Sequence, residues 1–356
     1  MSRPPGVSVV IPTVDREASL ARALASVARA ATRVSEPVEA IVVDDSQPAR
    51  RERPTRWCVG SLPVRRVWTA DASVKGPAAA RNLGVSLAAY DVIAFTDDDT
   101  VCADGWLVVG VGRLRADPIL AGVEGAVRLD PASAIDPIRV RLVMNLRGGG
   151  FLTASMFLRA EAIEAAGGFR RLRADGEHAW AIPYREDSDL ALRVVREVGP
   201  IPFAPDAYVL HPAEAVDLRR LVRLARYFVV DGAFARLHPE ACPPIHRRPL
   251  ARARIRAASA IVLLLPGLLP GRTRRPVAIM IAALTAAVSA QVDFELRQAG
   301  LRRPPLAAAR DTIRRLPRAL LWSLVAGSAR LEGEALLALG IVELPDDAER
   351  PRDRSR

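Results

Sequence analysis

The sequence predicts an α/β fold in which a mixed, mostly parallel sheet is flanked by helices. Short apolar runs in the first half of the chain alternate with segments of helical periodicity, and the runs themselves contain few polar residues. Continuous apolar strands are typical of a parallel sheet that is covered on both faces. Two of the runs are followed by acidic clusters, and in such sheets ligands bind beyond the carboxyl ends of the strands. The acidic clusters are therefore the first candidates for a functional site.

The predicted elements follow one another in a regular order. Leu20, Leu24 and Val27 recur at helical spacing behind the first apolar run, which predicts a helix there. Residues 120–215 are less regular than the part before them. The predicted strands are residues 7–11, 40–43, 64–68 and 92–95, and the predicted helices are residues 18–31, 76–89 and 159–166, with a further helix beginning near residue 186.

The positive charge of the chain is unevenly distributed. The net charge is +11, from 51 Lys and Arg against 40 Asp and Glu, and Lys75 is the single lysine. Residues 216–356 hold 25 basic and 13 acidic side chains, which leaves 26 and 27 for residues 1–215. Aromatic residues make up 5% of the chain and are not interleaved with basic ones in the C-terminal region, so no nucleic-acid partner is expected.

The C-terminal region contains two apolar stretches, residues 257–271 and 276–290, separated by arginines. Both are shorter than the roughly 20 apolar residues of a spanning helix. They form either a hairpin at an anionic membrane surface or buried helices of a small helical domain. The three cysteines give no disulfide or zinc spacing, and the first residues show no secretion signal. We expect a cytoplasmic protein, either free or held at the cytoplasmic face of the membrane as a peripheral or hairpin-anchored protein.

Asp97, Asp98 and Asp99 follow the strand predicted over residues 92–95. Adjacent carboxylates repel one another unless a cation or a set of donors stabilises them. Mg²⁺ and Mn²⁺ take one or two protein carboxylates and complete their coordination with water and phosphate oxygens. In an extended chain Asp97 and Asp99 point the same way and Asp98 the opposite way. The run therefore predicts a divalent cation site, the alternative being a solvated acidic turn.

Two further acidic groups are ambiguous when each is taken alone. Asp44 and Asp45 end the second predicted strand, where a helix cap or an Asx turn would also use them. Glu186, Asp187 and Asp189 lie where a helix begins, and acidic residues there commonly interact with the helix dipole. Their order along the chain is more informative than either group alone.

Five segments occur in a distinctive order: residues 7–13, 41–46, 76–84, 94–100 and 186–190. In this order the chain resembles the inverting nucleotide-sugar glycosyltransferases of family 2 over roughly residues 5–215. The resemblance implies a Rossmann-like GT-A fold in residues 1–215. Residues 1–115 would be the nucleotide-sugar-binding half and residues 116–215 the acceptor-binding half. Residues 216–356 would be an Arg-rich, largely helical extension.

The resemblance also implies roles for individual residues. Asp187 would be the general base that takes a proton from the acceptor hydroxyl, with Glu186 and Asp189 raising its pKa. A bound Mn²⁺ or Mg²⁺ would neutralise the diphosphate that leaves the anomeric carbon. By similarity, the residues that bind the nucleotide-sugar donor are Pro12, Thr13, Asp44, Asp45, Arg81, Asn82, Asp97 and Asp98, the metal ligands are Asp97, Asp99 and His211, and the catalytic pair is Glu186 and Asp187.

The implied function is transfer of a single sugar to a carbohydrate, lipid-linked or small-molecule acceptor, in cell-envelope, polysaccharide, glycolipid or natural-product biosynthesis. The chain lacks the Gln-x-x-Arg-Trp string of processive synthases. It departs from the family at Arg170 and Arg171, where Asp-Glu is frequent, and at Arg185, where glycine is frequent, which predicts an unusual acceptor.

Two alternatives remain open from the sequence. One is a nucleotide-sugar-binding protein without catalysis. The other is a phosphatase of the haloacid-dehalogenase type, in which Asp97 would be the nucleophile. That family needs a lysine after this aspartate, whereas Lys75 precedes it.

Overall fold

The computed structural model of the chain describes residues 3–46, 53–69, 76–136, 139–170 and 185–241, together with eight separate residues between 314 and 332. The described residues divide into two compact units. The first contains those within 1–134, 142–171 and 185–213, and the second contains those within 135–141 and 214–356. The sequence-based boundary at residue 215 stays a prediction.

A nine-stranded sheet forms the centre of the first unit. Its strands are β1 (Val7–Thr13), β2 (Val38–Asp44), β3 (Arg56–Val59), β4 (Leu62–Trp68), β5 (Val92–Phe95), β6 (Val101–Cys102), β7 (Gly122–Leu129), β9 (Met156–Arg159) and β10 (Phe203–His211), while β8 (Val140–Arg141) belongs to the second unit. Their order in the sheet is β3-β4-β2-β1-β5-β9-β7-β10-β6. The pairings give β1, β2, β4, β5, β7 and β10 one direction and β3, β6 and β9 the other. The predicted mixed, mostly parallel sheet is confirmed.

Helices cover both faces of this sheet. They are α1 (Glu17–Ala31), α2 (Pro77–Leu87), α3 (Trp106–Ala116), α4 (Ala160–Ala165) and α5 (Glu186–Glu197). Apolar side chains of α1 and α3 share one core with Val9 and Ile11, whereas those of α2, α4 and α5 share a second core with Val10. Successive strand residues point to opposite faces. Both faces are therefore buried, which explains why the strands are apolar without alternation.

Two central elements were not predicted from the sequence. Strand β9 runs antiparallel between β5 and β7 and follows a 3-10 turn at Thr153–Ser155. Helix α3 contains Gly110, where an added Cβ would lie 2.4 Å from the Phe157 ring. The glycine lets α3 approach β9 closely, so this helix and this strand depend on each other rather than on a local sequence pattern.

The second unit is mixed in its described part. Strands β8 and β11 (Glu214–Ala215) pair antiparallel, and they are followed by α6 (Leu218–Arg226), a 3-10 turn (Tyr227–Val230) and α7 (Asp231–Leu237). Asp217 caps α6 by accepting a hydrogen bond from the Arg220 backbone N–H at 2.7 Å. None of the helices within the described residues is both long and apolar enough to cross a membrane. The apolar stretches 257–271 and 276–290 lie outside the described residues.

Candidate active site

The candidate site lies at one edge of the sheet because its parallel strands end there together. Thr13 ends β1 and Asp44 ends β2. His211 ends β10, and Asp97–Asp99 follow β5 after one threonine. The fold therefore gathers side chains that are up to two hundred residues apart in sequence, as expected for ligand sites in open α/β sheets.

Asp97, Asp99 and His211 form a group suited to a divalent cation. One ligand atom from each lies within 4.8 Å of the others, and His211 Nε2 is 3.6 Å from Asp99 Oδ1. The other ring nitrogen of His211, Nδ1, is 2.9 Å from the Pro212 carbonyl oxygen, to which it donates in the tautomer that leaves a lone pair on Nε2. Two carboxylates and one imidazole nitrogen are a donor set that Mn²⁺ or Mg²⁺ accepts. We call Asp97, Asp99 and His211 the acidic trio.

Asp98 is buried and is not part of the acidic trio. Its Oδ2 accepts a 2.6 Å hydrogen bond from the Thr13 hydroxyl, and its Oδ1 lies 3.3 Å from Arg16 Nη1. Burial raises the pKa of Asp98, an effect that the Thr13 hydrogen bond opposes. The same Arg16 nitrogen donates to Asp99 Oδ2 at 2.8 Å. Asp98 thus fixes the turn that presents its two neighbours.

Arg81 connects the acidic trio to the acidic pair on α5. This arginine of α2 is 6% exposed. Its Nη2 donates to Asp97 Oδ1 at 3.2 Å and its Nη1 donates to Glu186 Oε1 at 3.4 Å. The guanidinium carbon also lies 5.8 Å from the centre of the Phe169 ring. One buried cation therefore links the two acidic groups that the sequence assigned to metal binding and to catalysis.

Glu186 and Asp187 occupy the first turn of α5 and have raised pKa values. Burial, helped by the neighbouring Asp187 charge, raises the pKa of Glu186 to about 7. Burial also raises the pKa of Asp187, with Arg81 acting in the opposite direction. Asp187 remains partly exposed and accepts backbone hydrogen bonds from Ser188 at 2.8 Å and Thr153 at 3.5 Å. A partly exposed carboxylate with a raised pKa is suited to accept a proton.

Asp189 has a different role from the one expected. It is fully buried, and its carboxylate accepts hydrogen bonds from Arg170 at 2.9 and 3.0 Å and from Arg193 at 2.9 Å. Because two arginines compensate its charge, burial rather than Asp189 is the main cause of the raised pKa of Asp187. Arg170, where the family frequently has an acidic residue, thus pairs with a carboxylate of α5.

The backbone conformation of Arg185 explains why glycine is frequent at the corresponding position of the family. Its φ is 72°, in the left-handed region, immediately before α5. Glycine adopts this conformation without the steric cost that a side chain brings. Arg185 adopts this conformation although it has a side chain.

Asp44 and Asp45 differ in accessibility. Asp44 is fully buried, and its Oδ2 lies 3.1 Å from Arg53 Nη1 and 3.6 Å from Arg66 Nε. Asp45 is partly exposed and accepts hydrogen bonds from the Thr69 hydroxyl and, at 3.0 Å, from the Gly76 N–H. Binding of the nucleobase by this pair stays a prediction, and Asp45 is the member that a ligand can reach.

The remaining predicted donor residues, Pro12 and Asn82, are partly exposed. The Asn82 amide donates to the Phe169 carbonyl at 2.7 Å and accepts from the Phe169 N–H at 2.8 Å. Their contacts with a donor stay predictions. Sequence reasoning missed Arg16, although a signal was present: a cation at the positive end of a helix is unfavourable and needs a compensating anion.

Comparison with known proteins relates the first part of the chain to one family. The family described as "Glycosyl transferase family 2" matches residues 8–130, a range that includes the three consecutive aspartates but ends before α5. The pre-mycofactocin glycosyltransferases of two Mycobacterium tuberculosis strains, CDC 1551 / Oshkosh and ATCC 25618 / H37Rv, are each 28% identical over 187 residues. That alignment covers 48% of this chain and 37% of those relatives, so the chain matches little more than a third of their length.

A solved structure resembles the fold. The mannosyltransferase PcManGT from Pyrobaculum calidifontis, solved in complex with GDP-Man and Mn²⁺, has a TM-score of 0.50 and 21% identity. The superposition covers 92% of this chain and 87% of that one, and it confirms the predicted GT-A fold class. The family match, the curated relatives and the sheet topology agree. Residues 8–130 of the chain are therefore similar to glycosyltransferase family 2, within a GT-A fold.

Proposed function

We propose that this protein is a metal-dependent, inverting glycosyltransferase that moves one sugar from a nucleoside-diphosphate sugar to an acceptor hydroxyl. The observation that carries the proposal is the connection of the acidic trio through buried Arg81 to the first turn of α5. A site for the leaving diphosphate and a site for proton removal thus lie side by side. The mannosyltransferase with GDP-Man and Mn²⁺ supports a nucleotide-sugar donor and a divalent cation.

The cation belongs at the acidic trio. When bound there, Mn²⁺ or Mg²⁺ supplies the positive charge that stabilises a departing nucleoside diphosphate. Arg81 adds a guanidinium to the same region, and a planar fork of N–H donors suits phosphate oxygens. We assign Asp97, Asp99 and His211 to metal binding and Pro12, Thr13, Asp45 and Arg81 to the donor pocket.

Asp187 is the proposed general base. Its partial exposure lets an acceptor hydroxyl reach it, and its raised pKa makes it a better proton acceptor than an ordinary aspartate. Glu186 is buried and contacts Arg81, so we assign it the positioning of that arginine rather than proton transfer. Attack on the face opposite the leaving diphosphate gives inversion in a single displacement.

The acceptor is proposed only as a class: a carbohydrate, a lipid-linked molecule or a small molecule with a free hydroxyl. The surplus of arginine in residues 216–356 favours work at the cytoplasmic face of a membrane, where anionic lipids attract basic segments. Pelleting of membranes at low and high salt tests this placement. A protein that remains wholly in the supernatant at low salt would contradict it.

The donor proposal is tested with a thermal-shift panel of UDP, GDP and dTDP, each with and without Mn²⁺. We expect at least one diphosphate to raise the melting temperature in a metal-dependent way, because ligand that binds the native state stabilises it. No metal-dependent shift with any of them would overturn the proposal. Binding without hydrolysis or transfer of any donor would instead favour the non-catalytic nucleotide-sugar-binding protein.

The base is tested with Asp187→Asn, which keeps the size of the side chain and removes its basicity. Turnover should fall by at least about 100-fold while the affinity for the diphosphate changes less than about twofold, since general-base catalysis contributes about 10²–10⁴-fold. Asp206→Asn, an exposed aspartate of β10, is the matched control and should retain activity. Full activity of Asp187→Asn would remove Asp187 from the mechanism.

A further inference from the structure

Glu124 is a buried carboxylate that the proposed mechanism leaves unused. It lies on β7 and is 1% exposed. Its Oε1 accepts hydrogen bonds from the Asn145 side-chain amide at 2.7 Å and from the Phe151 N–H, and its Oε2 accepts one from the Gly149 N–H at 2.7 Å. A buried charge is tolerated when such donors satisfy it. All three donors belong to one segment, residues 145–151, which we call the glycine-rich loop.

The glycine-rich loop needs external support because of its backbone conformation. Gly148, Gly149 and Phe151 have φ values of 77°, 80° and 51°. The left-handed conformation is unfavourable for a residue with a side chain, such as Phe151. Asn145 reinforces the loop by accepting a hydrogen bond from the Gly148 N–H at 3.1 Å. Glu124 is the charged group that accepts hydrogen bonds from these turns.

The other side of the same loop contacts α5. The Ser188 hydroxyl donates to the Gly150 carbonyl at 3.0 Å. The Ser188 N–H donates to Asp187 Oδ1 at 2.8 Å, and two residues beyond the loop the Thr153 N–H donates to Asp187 Oδ2 at 3.5 Å. Hydrogen bonds therefore run from Glu124 through the loop to both oxygens of Asp187.

We infer that Glu124 is a positioning residue that holds the glycine-rich loop against the first turn of α5 and thereby orients the carboxylate of Asp187. The inference rests on the proposed function, in which Asp187 is the base. Glu124 itself touches neither substrate nor metal ligand in this arrangement. The donor pocket at the ends of β1 and β5 does not use the loop, so the two parts of the site are separable by experiment.

The test compares Glu124→Gln with the control Glu161→Gln, the same chemical change on an exposed residue of α4. A glutamine presents one N–H₂ group to the three loop donors, so at least one of their hydrogen bonds is lost. Hydrogen–deuterium exchange over residues 145–153 should accelerate by at least about tenfold in Glu124→Gln, the factor that corresponds to 1.4 kcal/mol of lost protection, and should not change in the control. Unchanged exchange would overturn the inference.

Catalysis supplies the second measurement, with Mn²⁺-dependent hydrolysis of UDP-glucose and GDP-mannose as the probe reactions. In Glu124→Gln the kcat should fall at least about tenfold, while Kd values for UDP and GDP with Mn²⁺ stay within about twofold of the wild-type values. If Glu124→Gln and the wild type hydrolyse the donors with the same kcat, the positioning role is overturned and the proposed function is not affected. If the wild-type protein neither hydrolyses a sugar donor nor transfers its sugar, the proposed function is overturned and the inference with it.

A second variant keeps the test decisive if Glu124→Gln does not fold. Ser188→Ala removes the hydroxyl that joins the loop to α5 and leaves the buried carboxylate satisfied. The kcat for the same donors should fall several-fold with unchanged Kd for UDP and GDP. A kcat equal to that of the wild type would show that the loop does not orient Asp187.

Discussion

The ends of β2 and β5 look alike in the sequence and differ in the structure. Each is an apolar strand followed by adjacent aspartates. At the end of β2, Asp44 is fully buried between Arg53 and Arg66, which supply its counter-charge from within the protein. At the end of β5, Asp97 and Asp99 are partly exposed and face His211. The number of acidic residues therefore does not distinguish a structural ion pair from a metal site.

What distinguishes them is where the compensating cations come from. Arg53 and Arg66 approach Asp44 from the region of the β3–β4 hairpin, and removing the buried charge of Asp44 leaves them only the more exposed carboxylate of Glu17 at a comparable distance. Around the acidic trio, Arg81 contacts Asp97 and Arg16 contacts Asp99, and both aspartates remain partly exposed. The first arrangement stabilises the fold, and the second leaves coordination positions for a ligand.

The largest expected effect comes from Asp99→Ala. Removing one member of the acidic trio should weaken Mn²⁺-dependent binding of UDP or GDP at least about 1,000-fold, or about 4 kcal/mol, because the cation loses a direct carboxylate ligand. Isothermal titration calorimetry measures it. Asp104→Ala, which removes a half-exposed aspartate paired with Arg29 and Arg33, is the control and should bind normally. If Asp99→Ala retains Mn²⁺-dependent binding of UDP or GDP, the end of β5 does not differ from the end of β2 in the way proposed.

The free energy of unfolding should depend more on the aspartate at the end of β2 than on the aspartates at the end of β5. Asp44→Asn should lower the free energy of unfolding by about 3 kcal/mol, since it removes the buried charge that pairs with Arg53 and Arg66 and leaves these arginines to the more exposed Glu17. Asp97→Asn should change it by less than about 1 kcal/mol, because its pairing with Arg81 is partly exposed to solvent. Urea denaturation of both variants in a chelator measures the difference. Equal losses would mean that the two strand ends are not energetically distinct.

Glu186 extends the comparison to a third acidic group, whose contribution to stability depends on pH. The pKa of Glu186 is raised to about 7, so the folded state holds its proton more tightly than the unfolded state. The stability that this proton provides is present at low pH and is lost as the pH rises from the ordinary value of 4.5 through about 7. Glu186→Gln should therefore gain stability relative to the wild type between pH 5 and 8 when unfolding is followed in chelator. A pH-independent difference would contradict the buried, protonatable state of Glu186.

A smaller loss of stability than that of Asp44→Asn is expected for Thr13→Val. The substitution keeps the shape and removes the hydroxyl that donates to Asp98 at 2.6 Å. A lost hydrogen bond to a buried carboxylate should cost about 1–2 kcal/mol of unfolding free energy. Mn²⁺ affinity should change less than about twofold, because Asp98 is not part of the acidic trio. A large loss of metal affinity would place Asp98 among the metal ligands.

The sequence predicted what local patterns encode. Strands β1, β2, β4 and β5 and helices α1 and α2 were found within a few residues of their predicted positions, because their apolar runs and periodicities are strong. The structure also brings Asp97, Asp99 and His211 together, and their metal binding stays a prediction. The antiparallel insertion of β9 was not foreseen, since four residues of mixed character carry no register information.

The partners of the aspartates could not be predicted either. Arg53 and Arg66 reach Asp44 across a strand pairing, and Arg16 reaches Asp99 across 83 residues of sequence. Which carboxylate receives which arginine depends on the relative placement of strands and helices, and composition does not contain it. For the same reason Glu124, on a strand without any acidic cluster, gave no signal before the glycine-rich loop was seen to surround it.

Arg16 places a positive charge at the acidic edge of the sheet before any metal ion binds there. Its guanidinium, 46% exposed, already contacts Asp98 and Asp99. A divalent ion that binds Asp99 must compete with this tethered cation, so its affinity is the difference between two attractions rather than one attraction alone. Displaced from the carboxylates, the guanidinium would be free to meet the phosphates that accompany the ion. The edge can therefore exchange one positive charge for another without leaving three neighbouring carboxylates uncompensated in the folded protein.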